Sequence, residues 1–182
     1  MTEDALLTHP IDVGRLSSEG TARLVADAAA RARIAAAYGL LEVRKLAADA
    51  VLTPGRAGTV LVEGAVTADI VQACVVTLEP VAQSFIEPFS RSFVRERPEG
   101  RPAPKPDAEI MVDPNAPDPP EPYSGPLLDL GPIVIEHFLL GIDPYPRAPG
   151  ATLPADLGEA VQETDSPFAA LAKLRGEHPG ND

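Results

Sequence analysis

The stretch from Leu127 to Gly150, LLDLGPIVIEHFLLGIDPYPRAPG, constrains this chain most, because it holds the longest apolar run and then stops on a series of prolines. Pro132 suits a first helical position, where its missing N–H would be unpaired anyway, and Gly131 or Asp129 can cap the start. Leu130, Val134 and Phe138 recur at i, i+4 steps, and Ile135, Leu139 and Ile142 at i, i+4, i+7, so apolar residues occupy more than one helical face. A helix over 132–141 with that pattern must be covered by something. Gly141 loosens it, and Pro144, Pro146 and Pro149 forbid continuation by removing donors and clashing with the preceding turn. Interrupted by Asp129, Glu136 and His137, the apolar part is short of the roughly 20 residues a membrane span needs. It reads as a core helix.

Residues 41–94 supply the cover, as antiparallel sheet. Val60, Val62, Val66, Ala68 and Ile70 alternate with Thr59, Glu63, Thr67 and Asp69, the period of two that a half-buried strand requires. Pro54-Gly55 is a strong turn signal, which makes 41–53 and 58–71 a hairpin, and Glu79-Pro80 supplies the next turn. In the following VAQSFIEPFSRSFV, Phe85, Phe89 and Phe93 share a face with Glu87 and Arg91, and Pro88 predicts an edge or a bulge. Ahead of the sheet, Leu6–Val13 is a short extended segment containing Pro10. From Ser18 the sequence SEGTARLVADAAARARIAAAYG is rich in helix formers, with Ser17 or Ser18 as cap, Gly39 as terminator, and Leu24, Ala28, Ile34 and Tyr38 as an inner face. One broken helix or two short ones are expected there.

Residues 98–126 hold ten of the 21 prolines without usable periodicity and read as a linker or long loop. After Gly150 the chain is mostly polar or small. The exception is SPFAALAKL at 166–174, where Ser166 can cap a short helix presenting Phe168, Leu171 and Leu174 to the core or to a partner. The expected organisation is one α+β domain over 1–150, an antiparallel β-sheet packed against helices with a Pro-rich loop, followed by a largely extended acidic C-terminal tail over 151–182.

Charge separates along the chain. After residue 105 there are three basic against fourteen acidic residues, whereas the first 105 carry twelve against thirteen, so the later part supplies nearly all of the net −12. A negative field disfavours phosphate backbones and favours basic partners. Arg91, Arg95, Arg97, Arg101 and Lys105 form one locally basic stretch that could track nucleic-acid phosphates, but Glu96 and Glu99 interrupt it. The arginines at 15, 23, 31 and 33 read as a solvated helix face. Cys74 is the single cysteine, which excludes an intramolecular disulfide and a cysteine-built zinc site and points to a reducing cytoplasm. The N-terminus opens with acids and lacks a basic region ahead of a sustained apolar one, so nothing there directs secretion.

The strong catalytic and nucleotide-binding spacings are missing from this sequence. Asp118 and Glu121 sit among prolines, where a preorganised acid/base pair is hard to hold. His137 beside Glu136 reads as a hydrogen-bonded core or boundary histidine, and Cys74, with no basic neighbour in sequence, as a small buried residue. No cofactor is expected. An enzyme or small-ligand binder using Cys74, Glu136 and His137 is the alternative class. Asp143-Pro144-Tyr145-Pro146-Arg147 is too stiff for ordinary linker, and its prolines let Tyr145 and Arg147 be presented at little ordering cost. It is expected to be either a contact surface or a clamp, in which Tyr145 packs back on the sheet and Arg147 pairs with a nearby acid.

Three phrases, QACVVTLEPV at 72–81, DLG at 129–131 followed by IEHFLLGIDPYPRAPG, and SPFAALAKL near the end, together resemble the alphaproteobacterial branch of the YceD family, the large ribosomal RNA subunit accumulation proteins. In other branches the first phrase reads Cys-x-Arg-Cys-Leu-x-Pro. Cys74, Leu78 and Pro80 match it, while Val76 and Thr77 stand at the arginine and second-cysteine positions, so a paired-thiol or metal role does not carry over. Asp129, Leu130 and Gly131 complete the family motif. The resemblance implies a cytoplasmic, non-enzymatic factor for synthesis, processing or stability of large-subunit ribosomal RNA. The charge split adds that it would hold a basic ribosomal or assembly protein rather than coat RNA.

Overall fold

Alternating apolar residues across four consecutive strands build one face of a five-stranded sheet, on which both helices lie. The computed structural model describes residues 5–96 and 119–152. In chain order the elements are β1 (Pro10–Ile11), β2 (Gly20–Val25), α1 (Ala28–Tyr38), β3 (Glu42–Pro54), β4 (Thr59–Ala73), β5 (Pro80–Arg95), β6 (Glu121–Tyr123), β7 (Leu128–Asp129) and α2 (Gly131–Leu140). The large sheet has the order β2-β3-β4-β5-β6, and β1 pairs with β7 in a small ribbon of its own. The fold is α+β, as the alternation and the apolar helix predict.

The hairpin of β3 and β4 forms where Pro54-Gly55 places it, with Pro54 opposite Val60. Val60, Val62, Val66, Ala68 and Ile70 are all buried, facing Leu46, Ala48, Ala50 and Leu52 of β3 and Phe89 and Phe93 of β5 in a single core. Gly64 interrupts the apolar row because a side chain there would meet the Asp49 carbonyl at 2.3 Å and the Phe89 ring at 2.8 Å. Phe89 thus fills the space a β4 side chain would have occupied.

Several expectations need correction. The helix expected from Ser18 begins only at Ala28, capped by Asp27, whose side chain accepts from Ala30 N at 2.7 Å. Residues 20–25 are instead the edge strand β2, paired with β3 from Gly20–Leu52 to Val25–Ala47. Ala, Arg and Leu favour a helix in isolation, but Ala22 and Leu24 alternate inward and the ladder outweighs that preference. Ala28 and Tyr38 are exposed, and the inner face of α1 is Ala30 and Ile34. Gly39 does end the helix, in a left-handed conformation with φ 66°.

Pro88 makes no bulge. β5 runs in unbroken register with β4 and the irregularity lies in β3, between Val43 and Lys45. Proline is tolerated because β5 is an edge strand there: β6 pairs with it only at 93–95, and in parallel rather than antiparallel sense. The Pro-rich stretch therefore ends in a short strand that widens the sheet. In α2, Leu130, Val134 and Phe138 are buried as expected, but of the second apolar row Ile135 and Ile142 are half-buried and Leu139 is exposed, as is the adjacent Leu140. The helix is covered on one side only.

Candidate functional site

The two ends of α2 are fixed by different parts of the sequence signature. At its start, Asp129 Oδ1 accepts from Gly131 N at 2.9 Å and from His9 N at 2.6 Å, while Leu130 N donates to the His9 carbonyl at 3.1 Å. One carboxylate thereby satisfies a free donor of the helix N-terminus and fastens the N-terminal segment across it. Gly131 has no room for a side chain, since a Cβ would lie 2.1 Å from the Leu7 carbonyl oxygen. Asp129, Leu130 and Gly131 are thus joined in one structural clasp, with Leu130 buried.

The helix carries the chain about 15 Å, ten residues at 1.5 Å each, to end over Phe85 of β5, and the residues after it continue to the turn between β4 and β5. Cys74 and Leu78 lie in that turn, and Pro80 opens β5. Cys74 N donates to the Glu79 carbonyl at 2.8 Å and Leu78 N to the Cys74 carbonyl at 3.0 Å. The Cys74 sulfur is fully buried and accepts three backbone N–H groups, from Val76 at 3.4 Å, Thr77 at 3.3 Å and Ala148 at 3.3 Å. The Thr77 hydroxyl, followed by these backbone donors, lowers the thiol pKa to about 6 against the opposing effect of burial. Cys74 is small and buried as expected, but it acts as an acceptor that organises a turn rather than as an inert filler.

The segment Asp143–Arg147 is bonded down onto this turn. Gln72 Nε2 donates to the Asp143 carbonyl at 3.0 Å, Asp143 N donates to Gln83 Oε1 at 3.1 Å, and Val75 N donates to the Pro146 carbonyl at 2.9 Å. Gln83 Nε2 also donates to the Gly141 carbonyl at 2.9 Å, closing the end of α2. Pro146 is buried. The Tyr145 side chain is not part of this clamp: its residue is 72% exposed, while its N–H donates to Asp143 Oδ1 at 2.9 Å. Arg147 is exposed and makes no salt bridge among the described residues. The backbone and the prolines form the clamp, whereas Tyr145 and Arg147, which the clamp alternative would pack back, have exposed side chains.

Sequence reasoning missed three exposed apolar residues in the β4–β5 turn and at the end of α2. Val75 is 48% exposed, Leu140 64% and Leu78 76%. Leu78 also has φ 62°, a region that non-glycine residues rarely enter, and its bond to Cys74 holds it there. The two glutamines were recognisable only as polar residues at positions where alternation calls for inward side chains.

The alternative constellation of Cys74, Glu136 and His137 is not assembled. His137 packs on Phe89, ring centroids 5.3 Å apart, and Phe89 is paired with Gly64, ten positions and roughly 30 Å along the sheet from Cys74. His137 is buried as expected, but neither ring nitrogen has a hydrogen-bond partner among the described residues. Glu136 is bonded by Arg91, which also holds Glu121 at 2.8 Å, so Arg91 links β5, β6 and α2. Of the other arginines in that stretch, Arg95 is exposed at the end of β5, and Arg97 and Arg101 lie outside the described residues, as do Asp118 and the segment 166–174. Two open grooves, one across Arg23, Asp49 and Glu63 and one beside Arg31 and Leu41, contain none of Cys74, Glu136 and His137. Among the described residues no group of three His, Cys, Asp or Glu side chains could hold a metal ion, and no helix is long and apolar enough to cross a membrane.

The family model described as "Large ribosomal RNA subunit accumulation protein YceD" matches residues 62–175, more than half of the chain, spanning most of β4, both parts of the clamp and α2. No curated protein and no solved structure matches the chain.

Proposed function

The chain belongs to the YceD family, and from that premise we propose that it is a cytoplasmic, non-enzymatic factor supporting synthesis, processing or stability of large-subunit ribosomal RNA by holding a basic ribosomal or assembly protein. The observation that carries this reading is the exposure of Tyr145 and Arg147 on a segment whose backbone is bonded to Gln72, Gln83, Val75 and Cys74. A segment whose backbone is already held in place spares the cost of ordering a loop on binding, and Tyr and Arg are enriched at the centres of protein interfaces. Val75, whose N–H is bonded to the Pro146 carbonyl, adds exposed apolar area next to that segment.

Charge supports a protein rather than RNA as the direct contact. The net charge is −12, and Arg91, the first arginine of the basic stretch, is engaged by Glu121 and Glu136. Long-range repulsion from phosphates and attraction to a basic protein follow from the same field. The test is to purify the tagged full-length chain from cells after crosslinking and to identify the nearest molecule. A basic protein of the large subunit or its precursors as the main adduct is expected. A main adduct with ribosomal RNA itself, or with a protein unrelated to ribosomes, would contradict the proposal.

A further inference from the structure

We propose that β2 is a self-association edge: Gly20–Val25 pairs antiparallel with the same strand of a second copy, and the two sheets become one across a two-fold axis. One bond fixes the direction of its backbone groups. Ala26 N donates to the Leu46 carbonyl at 2.9 Å, in step with the β2–β3 register that runs unbroken from Gly20–Leu52 to Val25–Ala47. In an antiparallel strand a residue's N–H and C=O point to the same side and alternate with those of its neighbours. Ala22 and Leu24 therefore bond to β3, while Thr21, Arg23 and Val25 turn theirs outward. β2 ends the sheet order, so among the described residues no strand meets those groups. The strand has no proline and no bulge to blunt the edge, and its one charge, Arg23, is met by Asp49 at 3.6 Å.

Symmetry and charge select the occupant. With the axis at Arg23, Thr21 lies opposite the partner's Val25 and Ala22 opposite the partner's Leu24. That register sets β-branched against β-branched residues and gives every outward N–H a carbonyl, about six bonds in all. The two Arg23 side chains meet at the axis, each beside its own Asp49, so the paired edge carries no net charge. It offers nothing to favour the basic partner proposed above, and the acidic excess that would repel a second copy lies after residue 105. The far edge of the sheet is closed to the same pairing, because Pro88 withholds a donor midway along β5 and β6 occupies 93–95. A single open edge closes as a dimer, where two would build a filament.

The experiment follows amide exchange by NMR in the unaltered full-length chain at low-micromolar and near-millimolar concentration, with salt enough to screen the net −12. Exchange at Thr21, Arg23 and Val25 is expected to be about tenfold slower in the concentrated sample, as when about nine molecules in ten are paired, with Ala22, Leu24 and Ala26 protected alike in both. Sedimentation should give a dimer mass there. Arg23→Pro removes an outward N–H and no bond to β3, so it should stay monomeric with the circular dichroism of the parent. The exchange result on the parent decides the matter whether or not that variant folds. Rapid exchange of the three amides at both concentrations would overturn the proposal, and equal protection at both would do so by assigning the edge to a cover within the chain. A dimer that leaves these amides unchanged would place the contact elsewhere and overturn it too. No ribosomal component enters the measurement, so its outcome is independent of the partner reading.

Discussion

The N–H of Ala148 donates to the sulfur of Cys74 at 3.3 Å across 74 positions of sequence, fastening the proline segment that follows α2 to the turn between β4 and β5. With the Val75–Pro146 bond beside it, this contact makes one unit of two sequence phrases.

Cys74→Ala should therefore loosen that unit. Three N–H groups lose their acceptor, and donors left unpaired in a buried turn lower stability. Urea unfolding of the two proteins measures the difference, and equal midpoints would show that the sulfur is no more than filler.

The same site predicts a pH dependence. The folded thiol titrates at about 6, below its ordinary 9.0, so between these values the unfolded chain binds more protons and stability rises with pH. The contribution is complete above 9 and is lost as the pH falls through 6. Subtracting the stability of Cys74→Ala from that of the parent at each pH isolates it. A difference that does not grow with pH would contradict the assignment.

Gly131→Ala should detach the N-terminal segment, because the new methyl would fall 2.1 Å from the Leu7 carbonyl oxygen, a backbone atom that cannot rotate away. A loss of about 2 kcal/mol is expected, comparable to other overpacking changes. Faster hydrogen exchange at Leu130 N, which bonds to His9, would locate the damage.

Phe138 is fully buried and stacked near Phe85, ring centroids 6.0 Å apart. Phe138→Asp should unfold the domain, since an unpaired charge in the core costs several kcal/mol. A variant with the circular dichroism and melting of the parent would refute the placement of α2.

Much of the fold was legible because burial imposes a period. The β3–β4 hairpin follows from the row Val60 to Ile70 and from Pro54-Gly55, and α2 follows from Pro132 and the apolar spacing. β2 was hidden because its residues favour helices in isolation and only the neighbouring ladder makes them a strand. The parallel pairing of β6 was hidden by surrounding prolines. At the site, the stiffness of Asp143–Arg147 could be read directly. Its attachment to Gln72, Val75 and Cys74 could not, because the contacts are largely to backbone and join distant positions. The left-handed Leu78 leaves no sign in sequence, since glycine normally marks such positions.

The central claim is tested most directly by the double variant Tyr145→Ala, Arg147→Ala, in which both side chains lie outside the hydrogen-bonded clamp. Its association with large-subunit precursors is measured in cell extracts alongside its melting temperature. The account predicts an unchanged melting temperature with association reduced by tenfold or more, on the order of the 1.4 kcal/mol or greater expected of a hot-spot pair. Association equal to that of the parent, with melting unchanged, would contradict it.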